Sequence, residues 1–229
     1  MDILCISDIH GEKAALDLLA REIAGADLIL AAGDFTDFGG GLEMSDMLRA
    51  FEPRKDRMAA VAGNCDRQAA RAILEESGFC VDGKALRFGE GGAGLSVIGA
   101  GGGLVHTGLT PYERRDAELV SAFEDALHAL DYRKKDHPIL VALSHTPPFG
   151  TEADLRHGSH TGSKGLRALL DAMEPALWVC GHIHEARSVS RSGRSLVVNP
   201  GSLREGFYAK VKAESRGEGR DFEAELLRL

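Results

Sequence analysis

The feature that most limits how this chain can fold is a regular alternation along its first third. Residues 3–6, 28–31 and 58–61 are uninterrupted apolar runs, the pattern of short strands buried on both faces. Between them, residues 12–24 place Leu16, Leu19 and Ile23 on one face of a helix. A looser helix is predicted over 42–51, stopped at Pro53, and a third over 67–76. Three strand–helix units in a row require right-handed crossovers, which give a largely parallel sheet with helices outside.

The pattern then changes. Residues 79–81, 85–88 and 95–99 read as short strands separated by glycines and suited to antiparallel pairing. Residues 89–103 hold eight glycines, too many for a helix, so the segment is predicted as a strand flanked by loops. A long helix is expected over 116–131, with Leu119, Phe123, Leu127 and Leu130 as its apolar stripe. A buried strand at 139–143 leads into the polar loop 145–162, long enough to point to function. A helix at 163–173, a strand at 176–180, a hairpin at 189–191 and 195–198, and strands at 207–211 and 222–227 complete the chain. The prediction is a single domain, residues 1–229, with two mixed sheets packed together and helices on their outer faces.

Composition narrows the function. The chain has 229 residues, 35 acidic against 27 Lys+Arg, and a net charge of −8. That balance argues against a general nucleic-acid binder. Arg133-Lys134-Lys135 is the one dense basic run. No apolar run approaches the ~18–20 residues of a membrane helix, and residues 1–6 lack the basic start of a signal peptide. Cys5, Cys65, Cys80 and Cys180 are widely spaced, so a reduced, cytoplasmic setting without a disulfide framework is expected.

Five clusters fall at predicted strand ends: Asp8-Ile9-His10-Gly11, Gly33-Asp34, Gly63-Asn64-Cys65-Asp66, Ser144-His145-Thr146 and Gly181-His182-Ile183-His184. Alone, each is an ordinary turn. Together they converge, because ligand sites of α/β proteins lie outside the carboxyl ends of the strands. Besides Cys65 and Asp66, they supply two carboxylates, one amide oxygen and four imidazoles, a donor set suited to divalent transition metals. Residues i and i+2 of an extended backbone point the same way roughly 6.6 Å apart. Asp8 and His10 are thus expected to meet on one metal, and His182 and His184 to straddle two.

The order and spacing of these clusters resemble the calcineurin-like metallophosphoesterases, over residues 3–202. Gly99–Gly103 with Thr110-Pro111-Tyr112-Glu113, Gly162-Ser163-Lys164, Cys180–Glu185 and Asn199-Pro200-Gly201-Ser202 resemble the Icc-related predicted phosphoesterases within that family. The resemblance implies a four-layer αββα sandwich of two mixed β-sheets flanked by helices. It implies that Asp8, His10 and His184 bind a first metal, that Asn64, His145 and His182 bind a second, and that Asp34 bridges both. The cofactor it implies is two divalent ions, Mn²⁺, Fe²⁺, Ni²⁺ or Zn²⁺. The expected reaction is phosphoester hydrolysis with a metal-bridging hydroxide as nucleophile, on small or nucleotide-type diesters. A phosphomonoesterase, a protein phosphatase and a non-catalytic module of the same fold are the alternatives.

One position departs from the family. Where most members have a histidine beside the scissile phosphate, this chain has Cys65, and a thiol with a pKa of about 8.5 is a weak substitute for imidazole. Asp66, which orients that histidine in the family, is expected here to brace the loop. The leaving-group proton then comes from solvent, from Cys65 or from another residue, with His157 and His160 of the long loop as candidates and His160 preferred. His106 of the glycine-rich segment is a comparable candidate, Lys164 is placed to meet phosphate oxygens, and neither His128 nor His137 is given a role. The acidic chain does not exclude a small phosphate ester, because a site loaded with two divalent ions is locally positive. It still counts against long nucleic acids.

Overall fold

The computed structural model describes residues 1–89, 94–106, 108–130, 139–216 and 219–229. In chain order, β1 (Asp2–Ile6), α1 (Lys13–Leu18), α2 (Ala20–Gly25), β2 (Leu28–Ala32), α3 (Gly41–Leu48), β3 (Met58–Val61) and α4 (Gln68–Glu76) form the first half. There follow β4 (Ala85–Phe88), β5 (Leu95–Ala100), β6 (Gly103–Leu104), β7 (Glu113–Arg114), α5 (Asp116–Ala129) and β8 (Ile139–Ser144). The remainder comprises β9 (Leu155–Arg156), β10 (Ser159–His160), α6 (Lys164–Met173), β11 (Leu177–Val179), β12 (Ser188–Ser192), β13 (Ser195–Asn199), β14 (Phe207–Arg216) and β15 (Gly219–Arg228).

Two large sheets result. One has the order β15-β14-β1-β2-β3, the other β12-β13-β11-β8-β5-β4. Each is parallel at its centre and antiparallel at its edges: β1, β2 and β3 run parallel, as do β5, β8, β11 and β13. β14 and β15 join antiparallel on one sheet, β12 and β4 on the other.

Side-chain alternation divides the interior into three apolar layers. Leu4, Ile6, Ile29, Ala31, Met58 and Ala60 point outward against Leu16, Leu19, Ile23, Met44, Met47 and Leu74 of the first helices. Their neighbours Ile3, Cys5, Leu28, Leu30, Ala59 and Val61 point inward and meet Val97, Val141, Leu143, Val179 and Val198 of the other sheet. Ile98, Leu140, Ala142, Trp178 and Val197 point outward again, against Leu119, Phe123, Leu166 and Leu170 of α5 and α6. Helix, sheet, sheet, helix is the expected four-layer sandwich.

Several local expectations need correction. The helix predicted over 12–24 is two short helices that break at Leu19, although its three apolar residues are buried as predicted. Pro53 does not stop the second helix; it lies inside a 3₁₀ stretch, Arg49–Arg57, that kinks at Arg54. Residues 79–81 form no named strand. They make isolated parallel bridges, Ala60 with Cys80 on one sheet and Asp82 with Gly99 on the other, so this segment ties the sheets together. β5 is antiparallel only to β4 and parallel to β8, because α5 lies between β5 and β8 and returns the chain in the same direction. β14 and β15 are ten residues each, longer than predicted. The end of the helix at 131, the basic run 133–135, His137, glycines 91 and 92, and the turn at 217–218 lie outside the described residues.

The inter-sheet layer carries the fold, so truncation there is costly. Leu30→Ala, at a fully buried site, is expected to destabilise by about 2–5 kcal/mol in urea unfolding. Leu42→Ala, at a side chain 87% exposed, is expected to stay within about 0.5 kcal/mol of the parent. Equal losses would contradict the layering.

Candidate metal centre

The carboxyl ends of β1, β2 and β3 from one sheet and of β8 and β11 from the other open toward one point. Backbone hydrogen bonds hold their turns together: Asp8 N donates to Gly33 O (3.0 Å), His10 N to Asp34 O (2.9 Å) and Gly181 N to His145 O (3.1 Å). Asp8, His10, Asp34 and His182 all adopt positive φ, 54°, 47°, 54° and 70°. Left-handed backbone at a non-glycine residue costs about 1–3 kcal/mol and clusters at functional sites. These turns aim side chains inward that an ordinary strand end would point away.

Two glycines make room for them. A Cβ on Gly63 would lie 2.0 Å from Asp34 Oδ1, and one on Gly181 would lie 1.7 Å from Ser7 Oγ and 2.6 Å from Asp8 Oδ2. Gly33 makes room as well, with φ of 94° and a Cβ position 2.6 Å from His145 Nδ1, and Gly11 contributes a φ of 72°.

Seven of the predicted residues come together. His10 Nε2 is 3.9 Å from Asp8 Oδ1 and 3.7 Å from Asp34 Oδ2, and His184 Nε2 is 3.2 Å from Asp8 Oδ1. On the other side His145 Nε2 is 3.4 Å from Asp34 Oδ2 and 2.9 Å from Asn64 Oδ1. The rings pair accordingly, His10 with His184 at 5.3 Å between centroids and His145 with His182 at 5.0 Å. Asp34 sits between the pairs.

The donor set fits divalent ions. Within each of two groups, Asp8–His10–His184 and Asp8–Asp34–His145, the ligand atoms lie within 4.8 Å of one another. Both ring nitrogens of His10 are buried and have no hydrogen-bond partner, although buried polar atoms are nearly always satisfied.

Electrostatics agree with a cation site. Burial pushes the Asp8 carboxyl up, but the His184 hydrogen bond and the charges of His145 and His184 bring it below its ordinary value. Burial opposes ionisation of Asp34 too, yet His145 and His10 hold it well below the carboxylate range. Burial depresses His145, while Asp34 more than offsets this and raises it to about 9. His182 falls to about 4, through burial and the neighbouring charge of His145. The hydrogen bond to Asp8 raises His184.

The other predicted residues have different places. Cys65 is buried, 7% exposed; its N–H donates to Asp34 Oδ1 (2.7 Å) and its sulfur accepts from Asn64 Nδ2 (3.4 Å). Burial, and then Asp34, push its thiol up. Asp66 accepts from Gly63 N, Phe35 N, Thr36 N and Thr36 Oγ1 at 2.8–3.3 Å, so it braces the loop. Burial and Asp34 raise it to about 6. His160 lies on the β9–β10 hairpin, bonded through Nδ1 to Asp154 Oδ1 at 2.6 Å. His157 is exposed on the same hairpin, and Lys164 lies 5.4 Å over the ring of Phe149. His106 and His128 are exposed.

Asn199 and Ser202, quoted above only as part of a motif of the family resemblance, tie the site together. Asn199 donates to Ile183 O (2.9 Å) and accepts from Gly201 N (2.9 Å), while Ser202 Oγ donates to Asp8 O (2.9 Å). The end of β13 is thereby fixed to the end of β1. Asn199-Pro200-Gly201-Ser202 is the signal for this, visible in sequence as a turn and not as a tether.

A model of the family described as calcineurin-like phosphoesterase matches residues 1–186. An uncharacterized protein of Methanocaldococcus jannaschii is 29% identical over 206 residues, covering 87% of this chain and 88% of that one. The solved structure of TT1561 from Thermus thermophilus superposes with a TM-score of 0.68 at 20% identity, covering 97% of both chains. A structure titled as a novel archaeal phosphodiesterase superposes with a TM-score of 0.52 at 11% identity, over 99% of this chain and all of that one.

Two outcomes test the geometry. Gly63→Ala is expected to keep the circular-dichroism spectrum yet reduce bound metal, by elemental analysis, from about two ions per chain to fewer than one; full loading would contradict the close approach. His145 faces acceptors through both nitrogens, Ala32 O (2.6 Å) and Asn64 Oδ1, so it holds two protons unless a cation replaces one. Metal loading of chelator-stripped protein at pH 7 is expected to release about one proton, read by calorimetry in buffers of different ionisation enthalpy. Affinity is then expected to fall as pH drops below about 9; affinity flat in pH would contradict it.

Proposed function

The chain belongs to the calcineurin-like phosphoesterase family, and from that premise we propose that it is a phosphodiesterase for small, nucleotide-type phosphate esters. Metal-dependent hydrolysis of phosphoester bonds follows from the family; the diester preference, the ligand set and the substrate size are our reading. In it, Asp8, His10 and His184 hold one ion, Asn64, His145 and His182 hold the other, and Asp34 bridges them. The observation that carries it is Asp34 Oδ2, 3.7 Å from one imidazole and 3.4 Å from another on opposite sides.

When bound, two divalent ions lower the pKa of a water and neutralise charge on the phosphoryl oxygens. The chain's own residues do the rest. Asp8 and Asp34, held ionised, supply the negative charge that retains the ions. His182, neutral at pH 7, offers a lone pair without competition from a proton. Asn64 is oriented by the hydrogen bond that its Nδ2 donates to Cys65 Sγ, which leaves Oδ1 facing His145. Mixed oxygen and nitrogen donors suit Mn²⁺, Fe²⁺, Ni²⁺ or Zn²⁺.

The charge of −8 favours small substrates over long polyanions. The archaeal phosphodiesterase that shares the fold supports a diester. Four free cysteines, all buried, support a reducing compartment such as the cytoplasm. Among the described residues no helix is long and apolar enough to cross a membrane.

Chelator-stripped protein reloaded with each ion is expected to hydrolyse bis(p-nitrophenyl) phosphate faster than p-nitrophenyl phosphate. A faster monoester would reverse the preference. Asp34→Asn is expected to lower the rate by on the order of 10³-fold, the several kcal/mol a metal clamp supplies; full activity would sink the bridging role.

A further inference from the structure

Resting on the reading that this centre hydrolyses phosphoesters, we infer that His160, held by the buried carboxylate of Asp154, protonates the departing alcohol. Loss of an alkoxide from phosphorus needs a proton, and the centre itself has none to spare. Its four imidazoles are taken up as ligands, Asp8 and Asp34 are ionised, Asp66 is engaged by four donors that brace its loop, and Cys65 is a buried thiol whose sulfur already accepts from Asn64. The acid therefore comes from the loops around it.

Among the described loop histidines, His160 is distinguished by its partner. Asp154 is fully buried and accepts from Gly150 N (3.1 Å), Thr151 N (3.2 Å), Gly162 N (3.0 Å) and His160 Nδ1 (2.6 Å). Three backbone donors fix the carboxylate before the imidazole reaches it. Nδ1 therefore carries a proton, and Nε2 is the nitrogen left to meet substrate. A buried carboxylate orienting an imidazole in this way is the arrangement of a general acid or base. His157 lacks it, being 87% exposed with a rim carboxylate, Glu185, at 3.8 Å. His106 is exposed too.

The hairpin that bears His160 is tied to the segment that bears His182 and His184. The His160 side chain is 40% exposed and its ring packs 5.6 Å from that of Phe149, four residues beyond His145. The β9–β10 hairpin packs against the 3₁₀ turn His184–Ala186, where Glu185 faces Arg156 at 3.7 Å. Asn199 Nδ2 donates both to Ala153 O (3.4 Å) and to Ile183 O (2.9 Å). One amide thus joins the turn bearing Asp154 to the segment bearing His182 and His184.

A water oxygen bonds to phosphorus and gives up a proton to solvent; the bond from phosphorus to the ester oxygen breaks, its electron pair stays on that oxygen, and the Nε2 proton of His160 transfers to it. The imidazole regains a proton from solvent.

The test is a series of aryl ethyl phosphates whose phenols range from good to poor leaving groups, on metal-loaded wild type, His160→Asn and Asp154→Asn. His160→Asn is expected to lose about 10²-fold on the poorest leaving group and less than about threefold on p-nitrophenolate, which leaves unprotonated. Metal content is expected to stay at the wild-type level. Asp154→Asn is expected to steepen the same dependence. Long-range ¹⁵N–¹H correlation on wild type is expected to place the neutral His160 proton on Nδ1. Equal losses across the series, or the proton on Nε2, would overturn the inference and leave the hydrolase reading standing. Wild type inactive on every ester with every metal would overturn both.

Discussion

Two carboxylates, Asp8 and Asp34, are buried at a single point, and the rest of the architecture answers to that. Removing a carboxylate from water costs several kcal/mol, and placing two together adds repulsion. Four imidazoles arrayed around them offset the cost in part, as the upward shift of His145 and the downward shift of Asp34 record. The two unpartnered ring nitrogens of His10 are what divalent cations would satisfy. The donor set is thus one that bound cations would stabilise.

The fold makes this crowding possible. Parallel strands bring their carboxyl ends to the same edge of each sheet, and packing two sheets face to face brings two such edges together. The seven site residues then come from five strand ends, with backbone hydrogen bonds joining the turns after β1 and β2 and those after β8 and β11. The left-handed backbone at Asp8, His10, Asp34 and His182 is local strain that the inter-sheet core over-determines. Asn199 and Ser202 extend the clamp from one sheet to the other.

Much of this was legible in sequence. Alternation within 3–6, 28–31 and 58–61 could be read because each strand faces an apolar layer on both sides, so every position is constrained. The five ligand clusters were legible because each follows such a strand. What escaped depends on tertiary partners. Nothing around Leu19 marks a break, since α1 and α2 share one buried face. Lys210, Lys212 and Glu214 hid the length of β14, because its outer face is solvated while Ala209, Val211 and Ala213 enter the core. Asp154 looks like any loop acid, and its role depends on three N–H groups that only the folded turn assembles. Positive φ at a histidine leaves no trace in a window of residues.

Anomalous diffraction from a crystal of the metal-loaded protein tests the central claim most directly. Two peaks roughly 3.5–4 Å apart, with Asp34 touching both, Asp8, His10 and His184 around one and Asn64, His145 and His182 around the other, are the predicted result. A single peak, or two peaks that do not share Asp34, would contradict it.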